Sequence, residues 1–195
     1  MTLHASTGVI SGTPTGFGGS YVTVQVTDAF TAKPQSVTNN LLTIFRPANS
    51  ARNDTVITAT PIGPGIYNAS LSPYWDTRTD TESDHDYYQL TAIAGAMVKV
   101  GARALYTQTS GVLDTVIEIV DANGIRLQKC WSQSSYNYTG ECLNDDQYSG
   151  TTDSLLQLQV PGTAGQDVVF FLHVLDWRGD ARPDMLYELN ISGTK

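Results

Sequence analysis

The sequence predicts an all-β protein whose main body is a β-sandwich of jelly-roll type. Hydrophobic residues make up 41% of the 195 residues and charged residues only 15%, a balance that favours strands with polar, uncharged surfaces over helices. The chain also contains 17 Gly against 3 Met, and long runs of Glu, Lys and Ala are missing. Short runs that alternate apolar and polar residues recur at roughly ten-residue spacing with turn residues between them, as in sandwich strands.

Three short strands are predicted in a first unit, residues 1–46. They are Gly8–Ile10, the strictly alternating Tyr21–Thr27, and Leu41–Phe45. Pro34 interrupts the connection between the last two. A sheet this small is hard to stabilise alone, so we expect it to depend on its surroundings.

A linker and an edge strand follow the first unit. Residues 47–53 are rich in Pro, Ala, Asn and Ser without a pattern, which is typical of a linker. The second unit, residues 54–195, begins with Asp54–Pro61, predicted as an edge strand that proline ends. A turn and a strand are predicted within Ile62–Leu71. The polar loop over residues 72–83 is longer than ordinary connections and is a candidate functional loop.

The segment Ser83–Val100 predicts a β-hairpin over which the later strands close. Tyr88, Leu90 and Ala92 alternate with more polar residues, so one face is apolar. Gly95 supplies the turn, because glycine adopts a positive φ without steric cost.

The rest of the second unit continues with strands and turns. The sequence Asn123-Gly124 indicates a tight turn that would make Ile125–Cys130 the partner of the preceding strand. One later strand is apolar on both faces and is predicted to lie in the middle of a sheet. The predicted strands are Leu113–Val120 with Ile117 and Ile119 inward and Glu118 outward, Leu155–Val160, the central Val168–Leu175, and a last strand through Tyr187, Leu189 and Ile191.

The first unit resembles the C-terminal half of a bacterial Ig-like domain of the cadherin-like type. The resemblance rests on TGVISGTP, then YVTVQVTDAF and a final LLTIF, and covers residues 5–46. It implies a small partial Ig-like β-sheet that lacks the front strands of a whole domain. The alternative is a β-hairpin extension that packs on the next domain.

The second unit, over residues 53–193, is similar to bacterial pre-peptidase C-terminal domains, relatives of the collagen-binding domains of clostridial collagenases. The ordered motifs are NDT, DHDYYQL followed by AG, LDTVIEIVDANG, LNDD, DSLLQLQV, FFLHVLD and YELNI. Such domains are non-catalytic β-sandwiches appended to secreted proteases and other exported proteins. The chain departs from the family where Gly165-Gln166-Asp167-Val168 replaces the usual glycine-tyrosine pattern.

Cys130 and Cys142 are the only cysteines and flank a polar loop. In an exported chain this arrangement predicts a disulfide. Two reduced, partly buried thiols are the alternative. Metal ligation is less favoured because no histidine lies at ligand spacing beside them.

Several acidic side chains are candidate calcium ligands, because carboxylate and amide oxygens are the hard ligands that Ca²⁺ prefers. Related domains often bind calcium at strand ends, and we expect some of these residues to converge at one rim. Solvated loop carboxylates and strand caps are the alternative. The candidates are Asp84, Asp86, Asp114, Asn144, Asp145 and Asp146.

The sequence favours a protein without catalytic activity. No GxSxG, HExxH, P-loop or dinucleotide-binding motif is present. His85 lies between two aspartates, but no nucleophile accompanies it. His173 lies within an apolar strand, where a hydrogen-bonded core or cross-strand histidine is the usual explanation.

Aromatic residues in or beside predicted loops are candidate ligand platforms for sugars or peptides. The alternative is that they fold back and cover the ends of the sandwich. They are Tyr74, Trp75, Trp131, Tyr136, Tyr138 and Trp177.

These observations predict a non-catalytic accessory or adhesion module of a larger secreted or cell-surface bacterial protein. A carbohydrate- or matrix-binding domain, dependent on calcium, is the alternative, and a hydrolase is a third class. The net charge of −8 and the pI near 4.6 disfavour nucleic acid, whose phosphates would be repelled. No apolar run approaches the roughly 18 residues of a membrane span. No signal peptide opens the chain, so we expect a fragment whose own export signal has been lost.

Overall fold

The computed structural model describes residues 1–12, 18–27, 34–44, 52–71, 84–105, 113–131, 140–179, 181 and 185–195. Within these ranges the chain forms strands and one short 3₁₀ turn, Val56–Thr58. The prediction of an all-β protein is therefore confirmed. No helix in this part of the chain has the length and apolarity needed to cross a membrane.

The first unit contains two separate strand pairs. β1 (Thr2–Leu3) is antiparallel to β2 (Ile10–Ser11), and β3 (Gly18–Thr27) is antiparallel to β4 (Pro34–Ile44). The predicted strand at Tyr21–Thr27 falls within β3. β4 is longer than predicted because it begins at Pro34 itself, and the first position of a strand tolerates proline.

The second unit is a sandwich of two five-stranded sheets. One sheet has the order β11-β9-β13-β7-β5 and the other β10-β12-β8-β14-β6, and every pairing is antiparallel except that of β5 with β7. In chain order the strands are β5 (Thr60–Pro61), β6 (Gly65–Ser70), β7 (Asp86–Ile93), β8 (Met97–Leu105), β9 (Thr115–Val120), β10 (Cys130–Trp131), β11 (Leu143–Asn144), β12 (Ser154–Gln159), β13 (Asp167–Asp176) and β14 (Leu186–Ser192).

Consecutive strands from β5 to β14 alternate between the two sheets throughout. This wrapping is that of a jelly-roll-type sandwich. It also makes the hairpin predicted over Ser83–Val100 wrong, because β7 and β8 lie in opposite sheets. The corner at Gly95 does not close a ladder: the Gly95 amide donates to the Val160 carbonyl oxygen at 2.8 Å. The apolar faces of the two strands therefore meet across the core.

Two other predicted pairings fail for local reasons. Ile125–Cys130 is not a full partner strand of β9; single bridges join Val120 to Arg126 and Gln128 to Glu141, and Cys130 begins β10 in the other sheet. Only the last two residues of the predicted edge strand Asp54–Pro61 form a strand, β5. The Thr55 side chain accepts from the Thr58 amide and closes a 3₁₀ turn before it.

The core lies between the sheets and draws on both. Its fully buried side chains include Leu90 and Leu172 from one sheet and Leu156 and Leu189 from the other. β13 lies in the middle of its sheet, and five successive residues from Phe170 to Val174 are buried. The prediction of a central strand covered on both faces is therefore confirmed.

The disulfide between Cys130 and Cys142 is present and buried. Cys130 lies on β10 in one sheet, and Cys142 directly precedes β11 in the other, so the bond links the two layers. By the loop-entropy model a closed loop of this size stabilises the fold by about 3 kcal/mol. It also fixes the point at which the chain enters the segment that carries Asp145 and Asp146.

Candidate functional site

Three carboxylates meet at one end of the first sheet, and we call Asp114, Asp145 and Asp146 the acidic rim. Asp114 directly precedes β9, and Asp145 and Asp146 directly follow β11. Because β9 and β11 are antiparallel neighbours, the start of one and the end of the other lie at the same end of the sheet. One carboxylate oxygen from each residue lies within 4.8 Å of the others.

The charges of the acidic rim repel one another in a partly buried setting. Burial raises the pKa of Asp145 to about 6, and the charges of Asp114, Asp146 and Asp176 add to the effect. Burial also raises the pKa of Asp114, with Asp146 and Asp176 contributing. Asp114 Oδ1 and Asp145 Oδ1 are shielded from solvent, and no donor in the described structure lies within hydrogen-bond distance of either oxygen.

Asp176 is a buried residue that supports the acidic rim through hydrogen bonds. It ends β13 and is fully buried, and its Oδ1 accepts from the Asp114 amide at 2.9 Å. Its Oδ2 accepts from the Arg178 amide at 3.0 Å, and the Arg178 guanidinium lies 3.2 Å from Oδ1. Asp176 therefore holds the backbone of Asp114 in place.

Asn144, another of the predicted calcium ligands, also supports the acidic rim. Its Oδ1 accepts from the Leu155 amide at 2.7 Å, and its Nδ2 donates to the Asp146 carbonyl oxygen at 2.9 Å. The Ser154 hydroxyl donates to the Asp145 carbonyl oxygen at 2.7 Å. These bonds attach the segment from Asn144 to Asp146 to β12. Asn144 itself is fully buried.

The structure does not bring Asp84 and Asp86 to the acidic rim. β13 lies between β7 and β9, so residues at the start of β7 lie about 10 Å from those at the start of β9. The buried Asp84 forms an ion pair with Arg52, and the buried Asp86 accepts from the Tyr187 hydroxyl. These carboxylates have structural partners instead.

A second polar group lies on the outer face of the same sheet, and we call Glu118, His173, Tyr87 and His85 the histidine row. His173 on β13 is in register with Glu118 on β9 and with Tyr87 on β7. His173 Nδ1 lies 3.0 Å from Glu118 Oε2, and His173 Nε2 lies 2.7 Å from His85 Nδ1. The Tyr87 ring is parallel to the His173 ring with centroids 4.3 Å apart.

The charges of the histidine row are matched. Glu118 forms an ion pair with Arg126, which also bonds Glu141 at 2.6 Å. Burial opposes ionisation of Glu118, but hydrogen bonds from His173 and Arg126 outweigh it and hold the pKa of Glu118 below its usual value. Burial lowers the pKa of His85, and the neighbouring His173 lowers it further.

The sequence predicted a hydrogen-bonded core or cross-strand histidine at His173 but did not identify its partners. Glu118 was recognised only as an outward residue of its strand. The contact among Glu118, His173 and His85 depends on the register of three strands that are distant in sequence. Arg126 had no local signal, because it lies in a segment that was expected to be a regular strand.

Two predicted aromatic platforms are exposed in the structure. Trp131 on the edge strand β10 is 50% exposed, and Trp177 directly after β13 is 60% exposed. Trp131 borders a groove of about 490 Å³ with Lys129 and Gln159. The other predicted aromatics lie outside the described residues: Tyr74, Trp75, Tyr136 and Tyr138.

A polar groove of about 340 Å³ crosses the outer face of the other sheet, and sequence reasoning did not predict it. Gly101 lines it without a side chain, and Lys99, Arg103, Asp153 and Glu188 are among its walls. Arg103 and Glu188 form a largely exposed ion pair at 3.2 Å. Mixed charges of this kind select no particular ligand.

No family model matches the chain, and no curated protein matches it significantly. The resemblances to Ig-like domains and to pre-peptidase C-terminal domains therefore stay predictions.

Proposed function

We propose that the second unit is a non-catalytic accessory module of a secreted or cell-surface bacterial protein, and that a calcium ion bound at the acidic rim stabilises it. The module serves binding, spacing or stabilisation of the protein to which it is attached. The first unit is then a partial Ig-like sheet joined to a pre-peptidase-like sandwich.

The observation that carries the calcium proposal is the pair of partnerless oxygens, Asp114 Oδ1 and Asp145 Oδ1. Buried polar atoms in folded proteins almost always have a partner, and a shielded carboxylate oxygen without one is costly. Three carboxylates that repel one another are stable at neutral pH when a cation neutralises them. Burial raises the pKa of Asp145 most, and repulsion from Asp114 and Asp146 raises it further.

The ligand set fits Ca²⁺ better than a transition metal. All three ligands are carboxylates, and Ca²⁺ prefers hard oxygen ligands at about 2.3–2.6 Å. Two oxygens on opposite sides of such an ion lie about 4.6–5.2 Å apart, and the rim oxygens fall within 4.8 Å of one another. Asp114, Asp145 and Asp146 would hold the ion, with backbone carbonyls and water as further ligands.

The remaining features support an exported, non-catalytic module. The buried disulfide suits an oxidising compartment. Both cysteines of the chain are in that bond, so no thiol serves as a nucleophile. The two described histidines of the sandwich bond each other, and the carboxylate beside them is held by Arg126.

A second candidate function, carbohydrate or matrix binding, is favoured by Trp131. An indole that is half exposed on an edge strand beside a groove offers an apolar face to a sugar ring or a peptide. The disulfide at Cys130 fixes the backbone directly before it. This function is compatible with calcium at the acidic rim, which lies on the other sheet.

The calcium proposal is tested by thermal unfolding of the whole chain after chelator treatment. We expect millimolar Ca²⁺ to raise Tm by several degrees, because a ligand that binds only the folded state stabilises it. Asp145→Asn should abolish the rise. Asp167→Asn is the matched control, because this exposed aspartate lies at the opposite end of β13 from Asp176. An equal rise in wild type and Asp145→Asn would refute the site.

The binding function is tested on arrays of glycans and collagen-like peptides, with and without chelator. Specific binding that Trp131→Ala removes favours the carbohydrate- or matrix-binding function. Binding that Trp131→Ala leaves intact excludes this platform. A blank array favours a spacing or stabilising role.

A further inference from the structure

We propose that His85 and His173 form a binding site for a divalent transition-metal ion such as Zn²⁺, Ni²⁺ or Cu²⁺. The site is distinct from the acidic rim and does not depend on the calcium proposal. It lies on the outer face of the first sheet, and its two ligands are imidazole nitrogens, which these borderline cations prefer and Ca²⁺ does not.

The geometry directs one nitrogen of each ring to the same point. His173 Nε2 and His85 Nδ1 are 2.7 Å apart. The ring centroids are 4.9 Å apart and the planes differ by 24°, so the rings meet edge to edge with the two nitrogens facing each other. In the metal-free protein His85 Nδ1–H donates to His173 Nε2, and when a metal ion binds both nitrogens that proton moves through solvent to His85 Nε2.

Glu118 fixes the protonation of His173 in the form that binds a metal. The carboxylate is held ionised, so it accepts from His173 Nδ1–H at 3.0 Å. His173 Nε2 then carries the lone pair and points toward His85. A carboxylate bonded to the remote nitrogen is the usual support of a metal-ligating histidine, because it sets the tautomer and the ring orientation.

The scaffold is rigid on one side and adjustable on the other. His173 is on the central strand, its ring lies between Glu118 and the parallel ring of Tyr87, and the Arg126 ion pair holds Glu118. His85 directly precedes β7 and is only half-buried. Tetrahedral ligation at about 2.0–2.1 Å places two nitrogens about 3.3 Å apart, so His85 needs to move away by roughly 0.6 Å and tilt so that both lone pairs point at the ion.

Charges around the site favour a cation without saturating it. Asp84 and Asp54 lie near His85, and Glu118 lies behind His173, while Arg52 and Arg126 offset part of this negative charge. Two protein ligands leave positions for water. We therefore expect a dissociation constant in the micromolar range.

The test uses the whole chain without an affinity tag, freed of metals by chelator and kept in excess Ca²⁺ to occupy the acidic rim. Cu²⁺ and Ni²⁺ are titrated by calorimetry, and Cu²⁺ is followed by electron paramagnetic resonance. We expect one saturable site with coupling to two imidazole nitrogens. His85→Ala should weaken binding at least tenfold, and Glu118→Gln about tenfold because the support of His173 is lost.

His4→Ala is the matched control, because His4 is the third histidine of the chain and is exposed. It should bind Cu²⁺ as the wild type does. His173→Gln is a second ligand variant, and circular dichroism verifies that each variant is folded. Saturable binding that survives His85→Ala, a spectrum with fewer than two imidazole nitrogens, or the absence of binding would each overturn the proposal.

Discussion

The acidic rim lies at the ends of β9 and β11, the histidine row crosses β9, β13 and β7 of the same sheet, and the two differ in how their charges are partnered. At the rim, Asp114 and Asp145 each have a shielded oxygen without a donor. In the row, Glu118 has a histidine on one side and an arginine on the other. The rim has two shielded carboxylate oxygens without donors, whereas the Glu118 carboxylate of the row is paired on both sides; the Arg126 Nε beside the row also lacks a partner in the described structure.

On the two proposals above, this difference separates a requirement for a metal ion at the acidic rim from a capacity to bind one at the histidine row. The folded rim is destabilised by its own charges, so an ion that enters it adds to stability. The row is already neutralised, so its stability in the absence of metal does not depend on an ion, and an ion that binds there stabilises the protein only by mass action. Burial alone would not distinguish the two groups, because both are partly buried. The presence or absence of partners makes the distinction.

The largest expected loss of stability comes from removing Glu118 from the histidine row. Glu118→Ala should lower the free energy of unfolding by about 2–3 kcal/mol, because His173 and Arg126 lose the partner of a mostly buried network. The Glu118 side chain is only 17% exposed. Urea unfolding at pH 7 measures the change.

Glu188→Ala is the matched control for this prediction. Glu188 is also a strand glutamate paired with an arginine, and its side chain is 25% exposed, but its partner Arg103 is 58% exposed against 35% for Arg126. An exposed pair contributes less than about 1 kcal/mol. Equal losses in the two variants would mean that the histidine row is no more than a surface ion pair.

Removing a charge from the acidic rim should raise the free energy of unfolding of the calcium-free protein instead of lowering it. Asp145→Asn removes one of three repelling charges, so it should stabilise the calcium-free protein at pH 7 by about 1 kcal/mol once solvent screening is allowed for. The same change should destabilise the protein in saturating Ca²⁺, because a ligand is lost. Chemical unfolding in chelator and in calcium measures both signs. A loss of stability in chelator would contradict the account of the rim.

The sequence was sufficient for the sandwich and for part of the rim. Alternation along β12 and β14 is a local property, and it predicted which residues are buried. The doubly apolar β13 was correctly placed in the middle of a sheet. Asp114 and Asp145 were predicted to converge because each lies directly at a strand end.

Which strands pair with each other could not be derived from the sequence in the same way. The turn at Gly95 suits a hairpin and a crossing between sheets equally well, since a positive φ serves both. Which of the two forms depends on what covers the apolar face of β7, and that is decided by distant strands. The same dependence hid the contact of Glu118 with His173. It also led to Asp84 and Asp86 being grouped with carboxylates that lie across β13.

The smallest expected effect is a pH dependence that differs between the two groups. The folded pKa of Asp145 is about 6, above the unfolded value of 3.8. Between these values the folded state binds more protons than the unfolded state, so stability rises as pH falls from 7 toward 5. The advantage of Asp145→Asn over wild type in chelator should therefore shrink by roughly half between pH 7 and pH 5, and close only below about pH 4, where the unfolded carboxyl is protonated as well.

The histidine row should respond to acid with the opposite sign. The folded pKa of His85 is lowered below 6.5, so the unfolded state takes up the proton first, and stability is lost as pH falls through 6.5. In the Asp145→Asn variant the acidic rim contributes less to the pH dependence of stability. Adding His85→Asn there should flatten the remaining slope between pH 7 and pH 5. Stability curves in chelator at half-unit pH intervals measure it, and a slope unchanged by His85→Asn would show that this histidine does not titrate in that window.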